Sequence, residues 1–263
     1  APAAMTAISQ FVRSGVLTPY LTSQQQRSLS TTAQMAEVWS RDAPALFRVR
    51  LTDADARRRI TAYAADIRVS PKAALQALPA GDFVVNAIAL DASHQPIPIL
   101  HSDGGFALLL GDPPAIQVEQ LVDSMLRPFP AGLLTDAGLL VANPVFADAT
   151  RQRQFGRNAY HGTVIWSWQQ ALLAAGLERQ VARHDLPAAT LKRLREAKQR
   201  LWAVIENTRE LRSSELWSWR FVDGRYRAEP FGQSSSDVDE SNAAQLWSTV
   251  YLALPAPARS TAH

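Results

Sequence analysis

Apolar positions recur at helical spacing along much of the chain. From Thr32, the residues Met35, Val38 and Trp39 fall three and four apart and predict a helix that Pro44 interrupts near its end. Asp53 opens a basic amphipathic stretch, DADARRRITAYAADI, with Ile60, Tyr63, Ala64 and Ile67 on one face and its arginines on the solvated one. SPKAALQAL reads as a further short helix with Pro71 at its first position, and Ile116, Leu121 and Val122 place another across 113–127. Residues 163–181 are apolar nearly all round, which predicts a helix buried in a large core. The following stretch, LPAATLKRLREAKQRLWAVIENTREL, sets Leu191, Leu194, Leu201, Trp202 and Ile205 against a charged face and belongs outside. Inner and outer helices alternating in this way predict two concentric helical layers.

The texture differs between these helices. Residues 83–90 are β-branched and apolar and predict a short strand, and Asp103-Gly104-Gly105 reads as a turn. PFPAGLLTDAGLLVANPVF is a long loop rich in Pro and Gly, of a length that often carries function. A hairpin is expected around Asp223-Gly224, then a serine-rich loop and a last apolar helix, NAAQLWSTVYLAL. Before Thr32, an apolar run from Ile8 to Val12 ends at Gly15, and SQQQRSLSTT reads as a polar linker. The tail at 255–263, PAPARSTAH, is expected to be disordered.

Composition narrows the classes of function. The chain has 263 residues, 47% of them hydrophobic and 19% charged, which fits a globular protein with a sizeable core. A net charge of +3 comes from Arg and Lys interspersed with Asp and Glu, so the charge pattern does not point to nucleic acid. No apolar run reaches the roughly 18 residues of a membrane span. The absence of cysteine excludes disulfides and thiolate metal sites and is compatible with cytoplasm and periplasm alike. The chain starts APAAM, which reads as a processed protein or a piece of a longer one. Six of the seven Trp follow position 160, a bias that places the expected site in the C-terminal half, because aromatic rings suit the apolar faces of sugars.

The chemistry that remains is carboxylates beside aromatics. DGGFALLLG lacks the Lys and the Ser or Thr of a phosphate loop, and the His at 94, 101, 161, 184 and 263 have no metal-ligand spacing. No G-x-S-x-G elbow occurs. Glu215 directly precedes Trp217 and Trp219 in ELWSW, and Glu229 and Glu240 follow within one hairpin and one loop. Glycoside cleavage needs one carboxylic acid for the leaving oxygen and one carboxylate to activate water or attack the sugar. Glu229 also reads as a surface turn residue, and Glu240 as a charge at a helix N-terminus.

The stretch YHGTVIWSWQQALLAAGL, residues 160–177, resembles the YH, small residues, VW and apolar helix signature of six-hairpin glycoside hydrolases. The resemblance is to the amylo-α-1,6-glucosidase and glycogen-debranching type in particular. FVVNAIALDASHQPIPILHSDGGFALLLG, GLLTDAGLLVANPVF, ELWSW and ESNAAQLWSTVYLAL resemble further segments of that family in the right order, over residues 83–254. The resemblance implies a mainly α fold, an (α/α)6 toroid present here as an incomplete barrel, with short β-hairpins near the active-site end. Residues 1–254 would be the C-terminal part of the catalytic domain. It implies an inverting mechanism on α-linked gluco-oligosaccharides, with no cofactor and no metal. Glu215 matches the family's base, while Tyr160, His161, Trp166 and Trp217 match residues expected against the sugar.

Two departures bear on the substrate. The Gly after Tyr160-His161 comes one position early, and Ser167-Trp168 stands where the family has Pro-His. The family's acid lies upstream of the matched segments, leaving Asp53, Asp55, Asp103 and Asp136 as candidates that nothing in the sequence ranks. The alternatives are a non-catalytic helical module that binds carbohydrate through its Trp residues, and a structural helical domain whose aromatics are core.

Overall fold

The computed structural model describes residues 1–232 and 246–254. The serine-rich loop, Glu240, the start of the last apolar segment and the tail 255–263 lie outside the described residues. The described chain is mostly helical with small antiparallel hairpins. It sorts into two compact units, Ala1–Arg48 with Ala89–Pro96, and Val49–Ile88 with Ile97–His263.

In chain order, α1 (Pro2–Arg13) is followed by a 3-10 turn at Thr18–Tyr20, α2 (Ser23–Ser30) and α3 (Thr32–Leu46), and α1 packs on α3. The polar stretch that reads as a linker is therefore helix α2. A capping box starts it: Gln25 N–H donates to Thr22 Oγ1 at 3.2 Å, and Thr22 N–H donates to Gln25 Oε1 at 2.8 Å. α3 continues through Pro44 to Leu46. β1 (Arg48–Leu51) pairs with β2 (Phe83–Asn86). Between them come α4 (Asp53–Asp66) and α5 (Lys72–Gln76). α4 is capped by Thr52, whose Oγ1 accepts from Asp55 N–H at 3.2 Å, and it buries Ala56, Ile60, Tyr63 and Ala64, the apolar face of the sequence pattern. β3 (Ala89–Leu90) and β4 (Pro96–Ile97) form a hairpin.

β5 (Leu100–His101) leads through a turn at Ser102 and Asp103 into α6 (Gly104–Leu110), so the predicted turn is present at Asp103 while Gly104 and Gly105 are already helical. α7 (Ala115–Leu126) follows within the expected span. The long Pro- and Gly-rich segment after it holds β6 (Leu134–Thr135), β7 (Gly138–Leu139) and β8 (Ala142–Asn143), with β6 paired to β7 and β8 to β5. It is buried along most of its length, which is possible because its polar groups are met internally. Asn143 Nδ2 donates to Pro130 O at 2.9 Å and to Gly132 O at 2.7 Å, and Leu139 N–H donates to Gln170 Oε1 at 2.9 Å.

α8 (Ala149–Gln154) and the loop after it reach β9 (Ile165–Trp166), which turns directly into α9 (Ser167–Val181). α9 packs on α6 and on α10 (Ala188–Asn207). α9 is the buried helix of the sequence pattern, and α10 buries Leu194, Leu201 and Ile205 while its Lys and Arg face out, except Lys198, which is half-buried against Glu178 of α9. A 3-10 turn at Arg209–Leu211 leads to β10 (Leu216–Val222), which pairs with β9 on one side and β11 (Arg225–Glu229) on the other. Asp223 and Gly224 turn that hairpin with φ of 53° and 75°, as the Asp-Gly pair predicts. Leu246–Ala253 is a 3-10 helix rather than an α-helix. No toroid of alternating inner and outer helices is evident among the described residues: between α7 and α9 the chain forms buried hairpins and short α8 in place of a helical pair. No described helix is long and apolar enough to cross a membrane.

Candidate functional site

The site is built where the loop 156–164 returns onto the start of β10. β9 and β10 pair antiparallel, with Trp166 opposite Leu216 and Ile165 opposite Trp217. Ser167 N–H extends that pairing by donating to Glu215 O at 3.1 Å, so Glu215 is fixed at the mouth of the strand pair. The Glu215 residue is only 4% exposed. Its Oε1 accepts a hydrogen bond from the Tyr160 hydroxyl, 55 residues away in sequence.

Several contacts hold Tyr160 in position. Trp166 Nε1 donates to Tyr160 O at 3.0 Å, and the two rings meet edge-on with centroids 4.9 Å apart. Phe231 meets Tyr160 edge-on from another side at 6.4 Å. The loop itself closes tightly, with Gly162 N–H donating to Ala159 O at 2.8 Å and Thr163 N–H to Phe155 O at 3.0 Å. A Cβ on Gly162 would lie 2.1 Å from Gly156 O, so close backbone approach sets glycine at the position after Tyr160-His161.

His161 is exposed, and its ring packs 5.0 Å from both Tyr160 and Trp166. Trp168 continues the aromatic group at 5.7 Å from Trp166, with Phe106 beyond it at 6.1 Å. Val164, Trp166, Leu216 and Phe231 form a small apolar cluster beneath, with Tyr160 and Trp168 packed against it. The structure thus brings Tyr160, His161, Trp166 and Glu215 together. Trp217 is placed elsewhere: alternation along β10 turns it, with Trp219, into the main core, where it is 2% exposed and donates Nε1–H to Ala137 O at 2.7 Å.

The four aspartates that the sequence leaves unranked are sorted by their surroundings. Asp53 pairs with Arg57 at 2.9 Å and Asp55 with Arg59 at 2.6 Å on the surface of α4, and Asp136 accepts from Tyr226 N–H at 3.2 Å. Asp103 lies within electrostatic reach of His161. Gln169 Nε2, on the first turn of α9, donates to Asp103 Oδ1 at 2.9 Å. His101 Nδ1 lies 3.6 Å from Asp103 Oδ2, a charge contact longer than a hydrogen bond. Chiefly the neighbouring His101 imidazole, with Gln169 and His161 adding, holds the Asp103 carboxyl below the usual carboxylate range against its desolvation. Glu229 pairs with Arg157 at 3.8 Å.

At Tyr160, burial and then the bond to Glu215 and its negative charge push the hydroxyl up to about 12. The phenol therefore remains the donor at neutral pH, and Glu215 the acceptor. A carboxylate at an aromatic rim with an exposed imidazole beside it can position and deprotonate a water, or hold sugar hydroxyls. The shift at Asp103 is away from the protonated form that a general acid needs. Among the described residues no group of three acidic or His side chains is placed to hold a metal ion.

The sequence pattern does not single out Gln169, and it reads His101 only as lacking metal-ligand spacing. The available signal was Gln169, Gln170 and Gln180 among the apolar positions of α9. Each is at most 2% exposed and bonded, Gln170 to Leu139 N–H and Gln180 to the carbonyls of Leu108 and Gly111. The chain matches no protein-family profile, no curated protein and no solved structure.

Proposed function

We propose that this chain belongs to the catalytic domain of an inverting glycoside hydrolase acting on α-linked gluco-oligosaccharides, with Glu215 as the base that activates water. The observation that carries the reading is the Tyr160 hydroxyl bonded to Glu215. It joins the two segments, YHGTVIW and ELWSW, whose resemblance to the six-hairpin glycosidases of the glycogen-debranching type is independent in sequence. On this reading Tyr160 orients the base, and His161 and Trp166 form the rim against the first sugar. Trp217 supports the strand from the core rather than touching sugar. α9 and α10 would be an inner and an outer helix of an incomplete (α/α)6 ring.

Turnover of a panel of α-linked di- and oligosaccharides by the chain and by Glu215→Gln tests this, with circular dichroism as the check on folding. Release of reducing sugar by the parent chain and its loss in a folded variant are the expected results. Turnover that survives the substitution sinks the assignment.

One observation favours a second reading, a module that binds carbohydrate without cleaving it. Inversion requires a protonated carboxyl as well as a base, and at Asp103, the aspartate within electrostatic reach of His161, the shift is away from the protonated form. That reading expects oligosaccharide binding by calorimetry with no product from either protein.

A further inference from the structure

A second concave surface lies on the far end of the same loop. Residues 63–68 at the end of α4, 149–159 around α8 and 219–221 of β10 enclose a cleft of about 980 Å³, at the upper end of the range for small-molecule sites. None of Tyr160, His161, Trp166 and Glu215 lines it. Its walls are Tyr63, Trp219 and Phe221, and its charges are Arg68, Arg153, Arg157 and Arg220 against Asp66.

What marks the cleft is four arginines on one concave surface against the single carboxylate Asp66. On the rest of this unit many arginines sit on carboxylates, such as Arg57 on Asp53 at 2.9 Å, Arg179 on Asp112 at 2.8 Å and Arg193 on Asp123 at 2.9 Å. In the cleft, Arg157 has Glu229 at 3.8 Å and also donates to Trp219 O at 3.3 Å. Arg68, Arg153 and Arg220 have no carboxylate within ion-pair distance among the described residues; Arg153 donates to Thr150 Oγ1 at 3.3 Å. A concave surface lined mainly by one sign of charge attracts ligands of the opposite sign.

We propose that this cleft binds a small organic phosphate monoester, of the size of a sugar phosphate. A phosphate dianion matches the planar fork of a guanidinium with two parallel hydrogen bonds and neutralises more than one arginine at once. The volume is far larger than a phosphate ion needs and leaves room for an attached polyol. The proposal stands apart from glycoside cleavage at Glu215 and is tested without any turnover measurement.

Calorimetric titration at low ionic strength with glucose 6-phosphate, inorganic phosphate and glucose separates the sources of affinity. The ester is expected to bind more tightly than inorganic phosphate, with glucose giving no heat. Affinity for the ester should fall with added salt, and by about tenfold or more in each of Arg153→Glu and Arg220→Glu, from the loss of a charge-assisted contact. Both residues are exposed, and Arg220→Gln carries the same readout if a charge reversal disturbs folding. Absence of ester binding, binding unchanged in the folded variants, or inorganic phosphate or glucose binding as tightly as the ester would each overturn the proposal.

Discussion

At the scale of single residues, the Tyr160 hydroxyl ties the loop before β9 to the start of β10. Tyr160→Phe keeps the ring against Trp166 and Phe231 but takes a donor from Glu215, which is 4% exposed. Leaving a buried carboxylate short of a donor costs about 1–3 kcal/mol, which urea denaturation at neutral pH would register. The dependence on alkali follows from the raised hydroxyl, ordinarily at 10.0 and here at about 12. A group raised on folding contributes stability that is complete below its unfolded value and is lost as pH climbs through the folded one. The parent chain should therefore lose more stability than Tyr160→Phe between about pH 10 and about pH 12. Tyr63, Tyr226 and Tyr251, all raised chiefly by burial, are common to both proteins and cancel in the comparison. Parallel alkaline curves for the two proteins would show that the bond to Glu215 contributes nothing.

At the scale of elements, the loop between α8 and β9 is set by backbone packing. Gly162→Ala forces a methyl group to within 2.1 Å of Gly156 O, a clash with backbone that no side-chain rotation relieves. The expected result is a loss of about 1–3 kcal/mol, as for other overpacked sites, together with displacement of Tyr160 from Glu215. A thermal melt equal to that of the parent would show that the loop yields freely. The same contrast explains what could be read in the sequence. Helices α4, α7, α9 and α10 and the Asp223-Gly224 hairpin follow from periodicity and turn chemistry, because their apolar faces and turn residues are local signals. Asp103-Gly104-Gly105 is a turn only as far as Asp103, because the two glycines serve helix packing: a Cβ on Gly104 would come within 2.7 Å of Leu121 and one on Gly105 within 3.0 Å of Leu172. A glycine needed for close approach and one needed for a turn look alike in sequence. α2 misleads for the opposite reason, having almost no apolar face while its Thr22–Gln25 capping box supplies the signal that hydrophobic spacing lacks. Tyr160, His161, Trp166 and Glu215 could be grouped from the resemblance, whereas the place of Asp103 depended on contacts 66 residues apart with Gln169.

At the scale of the whole molecule, the two units differ in how much apolar surface they remove from water. In Ala1–Arg48, the buried side chains are Ser9, Thr32, Ala36 and Ala43, all small, while Phe11, Tyr20, Met35 and Trp39 are 45–81% exposed. The other unit holds one continuous core that runs from Leu51 through α9 and α10 to Trp219. Burial of apolar area is the main favourable term in folding, and a helix pair closed over alanines gains little of it. The capping box of α2 and the packing of α1 on α3 then leave these helices at the low end of local stability. Native-state hydrogen exchange should find the amides of α1 and α3 opening at lower denaturant than those of α9 and α10, as a separate cooperative group. Trp39, the one tryptophan of that unit, gives an independent readout, since its environment should change before the transition seen at Trp166, Trp168, Trp202, Trp217 and Trp219. If all four helices exchanged through one global opening, the first unit would have to draw stability from contacts other than its own small core.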